Sequence, residues 1–253
     1  MLSEHKIVVI GGTGLIGSEV VRSCYQNGAS VIVAGRDSSS IGFRNLCRDA
    51  GVDFPFVQVN TSDPTSVDQL FKTVDSMVDG ITSIVNCEFP HNSNYGKNFE
   101  EVAFSDFCNN VMLHIGSAFL VCQKAVEYFS TMSAGVIVNI SSIYGFLAPR
   151  FQIYAGTEMT KEIEYAICKS AIIQMTRYLA RYVKGRNIRI NCVSPGGVLD
   201  NQPKEFLEKY NEFCLNKGML NADDIVGTVV FLLSDNSRYM NGQNIVIDDG
   251  FSL

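Results

Sequence analysis

The sequence predicts a single α/β domain with a doubly wound, parallel sheet of about seven strands and helices on both faces. Two observations carry this prediction. Short runs of β-branched residues recur along the chain, and most are separated by segments with apolar positions three or four apart, as in amphipathic helices. The runs are apolar almost throughout, which is typical of parallel strands covered on both faces. The strand candidates are residues 6–10, 30–34, 55–59, 83–86, 135–140, 188–193 and 244–248.

Length and composition agree with one domain over residues 1–253. The chain is 46% hydrophobic and 18% charged, which is enough to fill a core and argues against disorder. Its net charge of −6 argues against a nucleic-acid partner. No apolar run reaches the roughly 20 residues of a membrane span, and the N-terminus lacks the pattern of a signal peptide. We therefore expect a cytoplasmic protein with no membrane partner.

The eight cysteines and three histidines show no spacing typical of metal ligands. No Cys-x-x-Cys pair occurs, and most cysteines stand within apolar runs. We expect free cysteines that pack as small apolar side chains, and no metal site.

The link after the first predicted strand contains Gly11, Gly14 and Gly17, three apart, where the strand meets a helix. Glycine lets a diphosphate approach the backbone, and the helix N-terminus supplies unpaired N–H groups. In this context the pattern indicates a dinucleotide site in a Rossmann fold, with a merely tight turn as the alternative. The candidate cofactor contacts in this turn are Gly11, Thr13, Gly14, Leu15, Ile16 and Gly17.

The second predicted strand leads into Arg36 and Asp37. An acidic residue at this point binds the ribose diol of NAD, whereas an arginine favours the additional phosphate of NADP. The guanidinium of Arg36 suits a phosphate, and Asp37 precedes three serines and could simply cap the next helix. We expect NADP as the cofactor, with NAD as the alternative.

In the segment "EYAICKSAI" (164–172), Tyr165 and Lys169 stand four apart in a helical pattern. Positions i and i+4 of a helix share one face. A free tyrosine has a pKa near 10, and a close cation favours the phenolate form. The pair is therefore suited to proton transfer, with plain helix surface as the alternative. Tyr144 and Tyr154 are competing phenols, but neither has a lysine four residues later.

Together these motifs resemble the short-chain dehydrogenase/reductase family over nearly the whole chain. The segment "NISSIYG" (139–145) resembles the family's serine strand end, and "YAICK" (165–169) resembles its Tyr-x-x-x-Lys. The segment "NCVSPGGV" (191–198) is similar to its Pro-Gly turn, and residues 224–250 follow its closing helix and strand.

The resemblance implies hydride transfer between a nicotinamide nucleotide and a small-molecule substrate, interconverting an alcohol and a carbonyl. It implies that Ser142 binds the substrate oxygen, that Tyr165 exchanges the proton, and that Lys169 supports the phenolate and holds the nicotinamide ribose. The other cofactor contacts that it implies are Asn60, Thr61, Asn86, Cys87, Pro195, Gly197 and Val198.

One departure from the family concerns the proton relay. His114 stands where the family usually has an asparagine, and its near-neutral pKa would suit a relay through water. We therefore include His114 among the catalytic candidates, with a core or interface histidine as the alternative. Asn109 and Asn110, one turn earlier, could serve instead.

A second departure lies after Asn86, where Cys87, Glu88 and Phe89 replace the small residues of the family. We expect Glu88 and Phe89 either to narrow the adenosine side of the site or to shape the substrate cleft. Asn60 likewise stands where the family usually has an adenine-contacting aspartate.

A third departure is the separation of Ser142 and Tyr165, which is longer than in the family's shorter members. The intervening segment, residues 150–163, carries aromatic, hydroxyl and charged groups. Such spacings and the "GGTGLIG" turn resemble branches that act on nucleotide-activated sugars, and the overall pattern resembles bacterial surface-glycan oxidoreductases of the flagellin-modification type. We expect a sugar or sugar-phosphate substrate, with a lid that makes no substrate contact as the alternative. The candidate contacts are Arg150, Tyr154, Thr157 and Lys161.

The segment around residues 198–220 is expected to form a substrate flap, although its apolar stripe could equally be fixed core. The resemblance further implies a homodimer or homotetramer. Two other functions stay open: a sugar-nucleotide epimerase or dehydratase that retains its cofactor, and a non-catalytic protein that binds NADP(H). The short segment after Pro195 disfavours the former, and the retained Ser142, Tyr165 and Lys169 disfavour the latter.

Overall fold

The computed structural model describes residues 1–253 and contains one seven-stranded parallel sheet. The order across the sheet is the third, second, first, fourth, fifth, sixth and seventh strand. The prediction of a doubly wound α/β domain is confirmed, and each strand end lies within two residues of its predicted position. The strands are β1 (Lys6–Ile10), β2 (Ser30–Gly35), β3 (Phe56–Gln58), β4 (Ser83–Asn86), β5 (Gly135–Ile140), β6 (Ile188–Pro195) and β7 (Asn244–Ile247).

Eight α-helices connect and cover the strands. A π-helical segment, Met112–Gly116, joins the fourth helix to the fifth. The helices are α1 (Leu15–Gln26), α2 (Ile41–Ala50), α3 (Pro64–Val78), α4 (Phe104–Val111), α5 (Ser117–Met132), α6 (Ile163–Tyr182), α7 (Lys204–Asn211) and α8 (Asp223–Leu233).

Two apolar cores lie on opposite faces of the sheet because successive strand residues point in opposite directions. In β1, Ile7 and Val9 pack into the core that includes α1 and α8, whereas Val8 and Ile10 pack into the core beneath α3 and α5. The chain therefore buries both faces of β1, which lies beside β4 at the point where the strand order reverses. Doubly wound sheets place their ligand site at the carboxyl ends of the strands, at this point.

A third apolar cluster lies beyond the carboxyl ends of the strands. It joins the segment between Ser142 and Tyr165 to α7 and to the C-terminus. Phe206 and Tyr210 of α7 are buried in it, so this part of the predicted flap is packed against the segment that precedes α6. The cluster consists of Ile143, Tyr144, Ile153, Tyr154, Phe206, Tyr210, Met219 and Phe251.

All eight cysteines are free, and Cys24, Cys122, Cys168 and Cys192 are buried as small core side chains. Cys108 is exposed on α4 and departs from that expectation. None of the helices is both long enough and apolar enough to span a membrane.

Candidate functional site

A cavity of about 510 Å³ lies at the carboxyl ends of the strands and extends from the glycine turn to the start of α6. It brings together the residues of five separate sequence motifs: the glycine turn, the loop after β4, the serine strand end, the Tyr-x-x-x-Lys of α6, and the end of β6. The predicted site residues that line it are Gly11, Gly14, Leu15, Ile16, Gly17, Cys87, Ser142, Tyr165, Lys169, Pro195, Gly197 and Val198.

The glycine turn fits a diphosphate because its backbone is uncovered and closely packed. Gly11 has φ +73°, and a Cβ atom there would lie 3.0 Å from the carbonyl group of Cys87. A Cβ atom on Gly17 would lie 2.1 Å from the carbonyl oxygen of Gly11, so only glycine allows α1 to start here. No side chain caps α1 and its first turn holds no acidic residue. Its first N–H groups are therefore available to an anion.

Lys169 lies on α6 with its ammonium inside the protein. Only 4% of the residue is exposed, and its Nζ donates a hydrogen bond to the Ile140 carbonyl oxygen at 3.0 Å. Burial lowers the pKa of Lys169, an effect that the nearby Tyr165 phenol opposes. The ammonium is thus fixed to the end of β5, with its remaining N–H groups directed toward the cavity residues.

Ser142 is buried at the end of β5 and caps the short helical turn Ile143–Gly145. Its Oγ accepts a hydrogen bond from the Tyr144 N–H at 3.2 Å, which leaves the hydroxyl proton free to be donated. A Cβ atom on Gly145 would lie 2.8 Å from the Lys169 carbonyl, so this glycine lets the turn pack directly on α6. That close packing is what brings Ser142 to the same cavity as Tyr165 and Lys169.

The two phenols that compete with Tyr165 are engaged with each other. The hydroxyl groups of Tyr144 and Tyr154 lie 3.1 Å apart, and both residues are buried. Burial raises the pKa of both phenols. Tyr165 is only half-buried in the cavity, and the Lys169 Nζ lies 5.5 Å from the centre of its ring. The geometry therefore separates Tyr165 from its two competitors.

Lys161 takes a position that sequence reasoning did not foresee. Its Nζ lies 3.7 Å from the centre of the Tyr165 ring, and the residue lines the cavity. It was a candidate substrate contact because it lies in the segment between Ser142 and Tyr165. Its contact with the Tyr165 ring depends on how that segment folds back over α6, for which the sequence holds no pattern.

Phe89 links the loop after β4 to the phenol. Its ring centre lies 5.3 Å from that of Tyr165 and 4.8 Å from that of His114, both in edge-on geometry. Phe89 lines the cavity, whereas His114 does not. Of the two roles expected for Glu88 and Phe89, shaping the cleft is the one that agrees with the position of Phe89 beside Tyr165.

His114 lies buried in the π-helical segment, and its Nε2 has no hydrogen-bond partner. Burial lowers the pKa of His114 to about 2, and the Lys169 and His91 charges act in the same direction. The imidazole is therefore neutral at physiological pH, so the near-neutral pKa expected of it from the sequence is wrong.

Asn109 and Asn110, the alternative relay residues, hold a surface loop. Asn110 accepts from the Asn92 N–H at 2.9 Å and donates to Glu164 at 3.3 Å. Asn109 accepts from the Asn92 side chain at 3.1 Å. Neither lines the cavity.

Five predicted cofactor contacts lie outside the cavity wall: Thr13, Arg36, Asn60, Thr61 and Asn86. The last four lie at or just after the carboxyl ends of β2, β3 and β4. The Asn60 Oδ1 accepts from the Ser62 N–H, and the Asn86 Oδ1 accepts from the Glu88 N–H, each at 3.2 Å. Both amides thus close their own loops.

Arg36 is exposed at the end of β2. Asp37 is not the cap of α2, because its carboxylate accepts from Ser39, whereas the Ser40 Oγ accepts from the Phe43 N–H at 3.2 Å. Burial raises the pKa of Glu88, while the Arg36 charge opposes that rise. Arg36 is therefore near enough for its charge to act on the Glu88 carboxyl.

Two of the four candidate substrate contacts are occupied elsewhere. The Arg150 guanidinium lies 4.4 Å from the centre of the Phe213 ring and donates to the Phe251 carbonyl oxygen at 3.3 Å. The Thr157 Oγ1 donates to the Tyr154 carbonyl oxygen at 2.8 Å. Both lie outside the cavity, so they stabilise the segment rather than reach a ligand, whereas Tyr154 and Lys161 line it.

Sequence reasoning missed several polar and apolar groups at the substrate end. The Gln202 amide donates to the Val198 carbonyl oxygen at 2.8 Å and holds the start of the predicted flap. The position of the flap after the Pro-Gly turn was the signal that could have located this part of the wall. The sequence does not show which side chains of the flap face inward. The missed lining residues include Met159, Thr160, Asp200, Gln202 and Met219.

Comparison with known proteins agrees with this geometry. Residues 13–252 match the family model described as enoyl-(acyl carrier protein) reductase. The chain is 36% identical over 260 residues to the post-translational flagellin modification protein A of Campylobacter coli, covering 100% of both chains. It is 27% identical over 257 residues to a 7alpha-hydroxysteroid dehydrogenase of Bacteroides fragilis, covering 99% of this chain and 95% of the other.

Among solved structures, the chain is similar to a short-chain dehydrogenase from Leptospira borgpetersenii with bound NAD⁺. The two superpose with a TM-score of 0.86 at 31% identity, over 98% of this chain and 93% of the other. The glycine turn and the cavity of this chain agree with these similarities. The chain belongs to the short-chain dehydrogenase/reductase family and is an NAD(P)-dependent oxidoreductase.

Proposed function

We propose that the protein interconverts an alcohol and a carbonyl on a polar, sugar-like substrate, with Tyr165 as the general acid and base. The observation that carries this proposal is the single cavity lined by Ser142, Tyr165 and Lys169 that begins at the glycine turn. A cavity of this kind supports both a nucleotide and a substrate at the same phenol.

The residues divide the work as follows. The glycine turn would hold the diphosphate, Lys169 would hold the nicotinamide ribose, and the segment 195–198 would hold the nicotinamide end. When bound, the nicotinamide supplies or accepts the hydride. Ser142 donates its free hydroxyl proton to the substrate oxygen, and Tyr165 gives that oxygen a proton or removes one. The buried Lys169 ammonium favours the phenolate by its charge.

We propose a more limited role for His114 than the proton relay that the sequence suggested. A neutral imidazole with an unpaired Nε2 can hold a buried water. The Phe89 ring contacts the His114 ring on one side and the Tyr165 ring on the other. We assign to His114 the positioning of Phe89, and through it of Tyr165, rather than proton donation as a cation.

The wall of the substrate end supports a sugar-like ligand. It presents polar groups on Thr160, Lys161 and Asp200 beside the rings of Tyr154 and Phe206. A sugar offers hydroxyl groups along its edge and an apolar C–H face, which match hydrogen-bonding groups and aromatic rings in turn. The flagellin-modification relative at 36% identity supports a role in making a surface glycan.

We also propose a homodimer or homotetramer that forms through α5 and α6. These helices expose three aromatic side chains, Phe119, Tyr178 and Tyr182. Large exposed apolar groups on neighbouring helices are typical of an interface. Light scattering should give a dimer or tetramer for the wild type, and a monomer would contradict this assembly.

The experiment measures NADPH oxidation and NADP reduction by wild type and by Tyr165→Phe. Sugar phosphates and nucleotide sugars serve as the substrates. Loss of the hydroxyl should lower turnover by about 10²-fold or more, while the fluorescence titration of NADPH changes little. Tyr239→Phe, at an exposed tyrosine outside both the cavity and the proposed interface, is the control. If Tyr165→Phe keeps most of its rate, the assignment is wrong.

The same preparation separates the alternative functions. A sugar-nucleotide epimerase or dehydratase would retain its nucleotide through purification, whereas a dehydrogenase exchanges it freely. A non-catalytic binder would titrate with NADPH and turn over no compound in the panel.

A further inference from the structure

Lys161 covers one face of the reacting phenol. Its Nζ lies 3.7 Å from the centre of the Tyr165 ring, while Phe89 approaches the same ring edge-on at an interplanar angle of 82°. The Lys161 side chain is 20% exposed, and the residue lines the cavity together with Met159 and Thr160. The ammonium therefore lies in the cavity wall, directly over the Tyr165 ring.

The Lys161 ammonium has donors to spare. It carries three N–H groups, and its one carboxylate partner is Glu162, whose Oε2 lies 3.3 Å away. That same oxygen accepts a hydrogen bond from the Tyr95 hydroxyl at 3.3 Å. The Lys169 ammonium also has one protein acceptor, the Ile140 carbonyl oxygen, and the proposed function assigns its remaining N–H groups to the nicotinamide ribose. Lys161 is thus the cation left to engage the substrate.

The charges of the cavity wall favour an anion at this end. Lys161 and Lys169 place two ammonium groups in the wall near Tyr165, and the one carboxylate in the wall belongs to Asp200, which is exposed. Glu162 lies outside the wall and offsets part of the Lys161 charge through its contact at 3.3 Å. A mostly buried ammonium in a cleft still attracts ligands of the opposite charge.

We propose that Lys161 binds an anionic group, a carboxylate or a phosphate ester, that the substrate carries within a few bonds of its reacting carbon–oxygen bond. This inference rests on the proposed function, because it takes Tyr165 as the group at which the reaction occurs. Because Lys161 lies so close to the Tyr165 ring, an anion bound by Lys161 is also close to the reacting centre.

The contact with the Tyr165 ring does not prevent this role. A cation over an aromatic ring is held more weakly than one that donates charge-assisted hydrogen bonds to an anion. Rotation about the flexible lysine stem turns the ammonium from the ring to a ligand oxygen without moving the backbone. Binding of the anion then also uncovers the face of the phenol.

The test measures binding of three small probes to the protein saturated with NADPH, so that the cofactor site is already filled. The probes are glycerol 3-phosphate, glycerate and the uncharged glycerol, each titrated by NMR against wild type, Lys161→Met, Lys161→Arg and the exposed control Lys204→Met. Wild type should bind the charged probes and not glycerol. Lys161→Met should weaken their binding by about tenfold or more, while Lys161→Arg and Lys204→Met keep it.

The charged probe that binds more tightly identifies the phosphate or the carboxylate as the preferred anion. The inference is overturned if the anions bind equally well to wild type and to a folded Lys161→Met. It is also overturned if neither anion binds to wild type. Melting curves of the variants establish folding. Because the readout is binding, it can fail while the turnover result for Tyr165→Phe stands, so the two proposals are tested separately.

Discussion

Two adjacent residues, Glu88 and Phe89, have different surroundings after β4. The Glu88 carboxyl is within reach of the Arg36 charge, whereas the Phe89 ring contacts the ring of Tyr165. A Cβ atom on Gly11 would lie 3.1 Å from the Glu88 nitrogen, which shows how tightly this loop packs on the glycine turn. Of the two side chains, Phe89 lines the cavity and Glu88 does not.

Arg36 should determine the preference between the two nicotinamide nucleotides. Its exposed guanidinium can pair with the additional phosphate of NADPH, so Arg36→Ala should weaken NADPH binding by about tenfold and leave NADH binding nearly unchanged. Fluorescence titration of both nucleotides measures this, with the exposed Arg48→Ala as the control. A wild type that binds NADH more tightly than NADPH would contradict the cofactor choice.

His114 should make the protein sensitive to acid. Its pKa is about 2 in the folded chain, against 6.5 for an unperturbed histidine, so only the unfolded chain takes up a proton as the pH falls below 6.5. The free energy of unfolding should therefore decrease by roughly 1.4 kcal/mol per pH unit below that value from this residue. Urea unfolding between pH 7 and 5 should show a shallower pH dependence for His114→Asn. Equal slopes for the two proteins would show that the imidazole is not held neutral.

The catalytic candidates could be predicted from the sequence, whereas their surroundings could not. Tyr165 and Lys169 are four residues apart on one helix, so their common face follows from helix geometry alone. The contacts of Lys161 and Phe89 depend on loops whose paths are determined by packing across the sheet edge. Arg150 is the clearest example of a contact that the sequence could not predict. Its charge suggested contact with a ligand, but its guanidinium stacks on the Phe213 ring.

At the scale of the elements, strands were easier to predict than connections. An apolar run with β-branched residues defines a buried strand directly, which is why all seven were found. The π-helical segment 112–116 carries no such signal, and its extra residue per turn changes the direction of His114 relative to a regular helix. The segment 150–163 likewise folds by burying Ile153 and Tyr154 against α7.

A hydrogen bond from the Gly197 N–H to the Tyr210 hydroxyl joins α7 to the end of β6 at 2.6 Å. Tyr210→Phe should leave that N–H without a partner and lower the free energy of unfolding by about 1 to 3 kcal/mol. The melting temperature should fall by roughly 2 to 4 °C per kcal/mol, and NADPH should bind more weakly because Gly197 lines the cavity. Tyr239→Phe, at an exposed tyrosine, is the control. An unchanged melting temperature together with unchanged NADPH binding would contradict this role.

At the scale of the whole molecule, the site exists because three packed regions meet. The two cores fix the strands on either side of the sheet, and the third apolar cluster holds the segment before α6 and the predicted flap over their carboxyl ends. A parallel sheet built in this way concentrates its strand ends at one edge, so residues as distant in sequence as Gly11 and Val198 line one cavity.

The central claim is that one cleft holds both the nicotinamide nucleotide and the Ser142, Tyr165 and Lys169 side chains that act on the substrate. A crystal structure of the protein with NADPH tests it most directly. We predict the diphosphate against Gly11, Gly14 and Gly17 and the nicotinamide beside Tyr165 and Lys169. A nucleotide bound elsewhere, or one whose nicotinamide is kept away from Tyr165 by Phe89, would contradict the account.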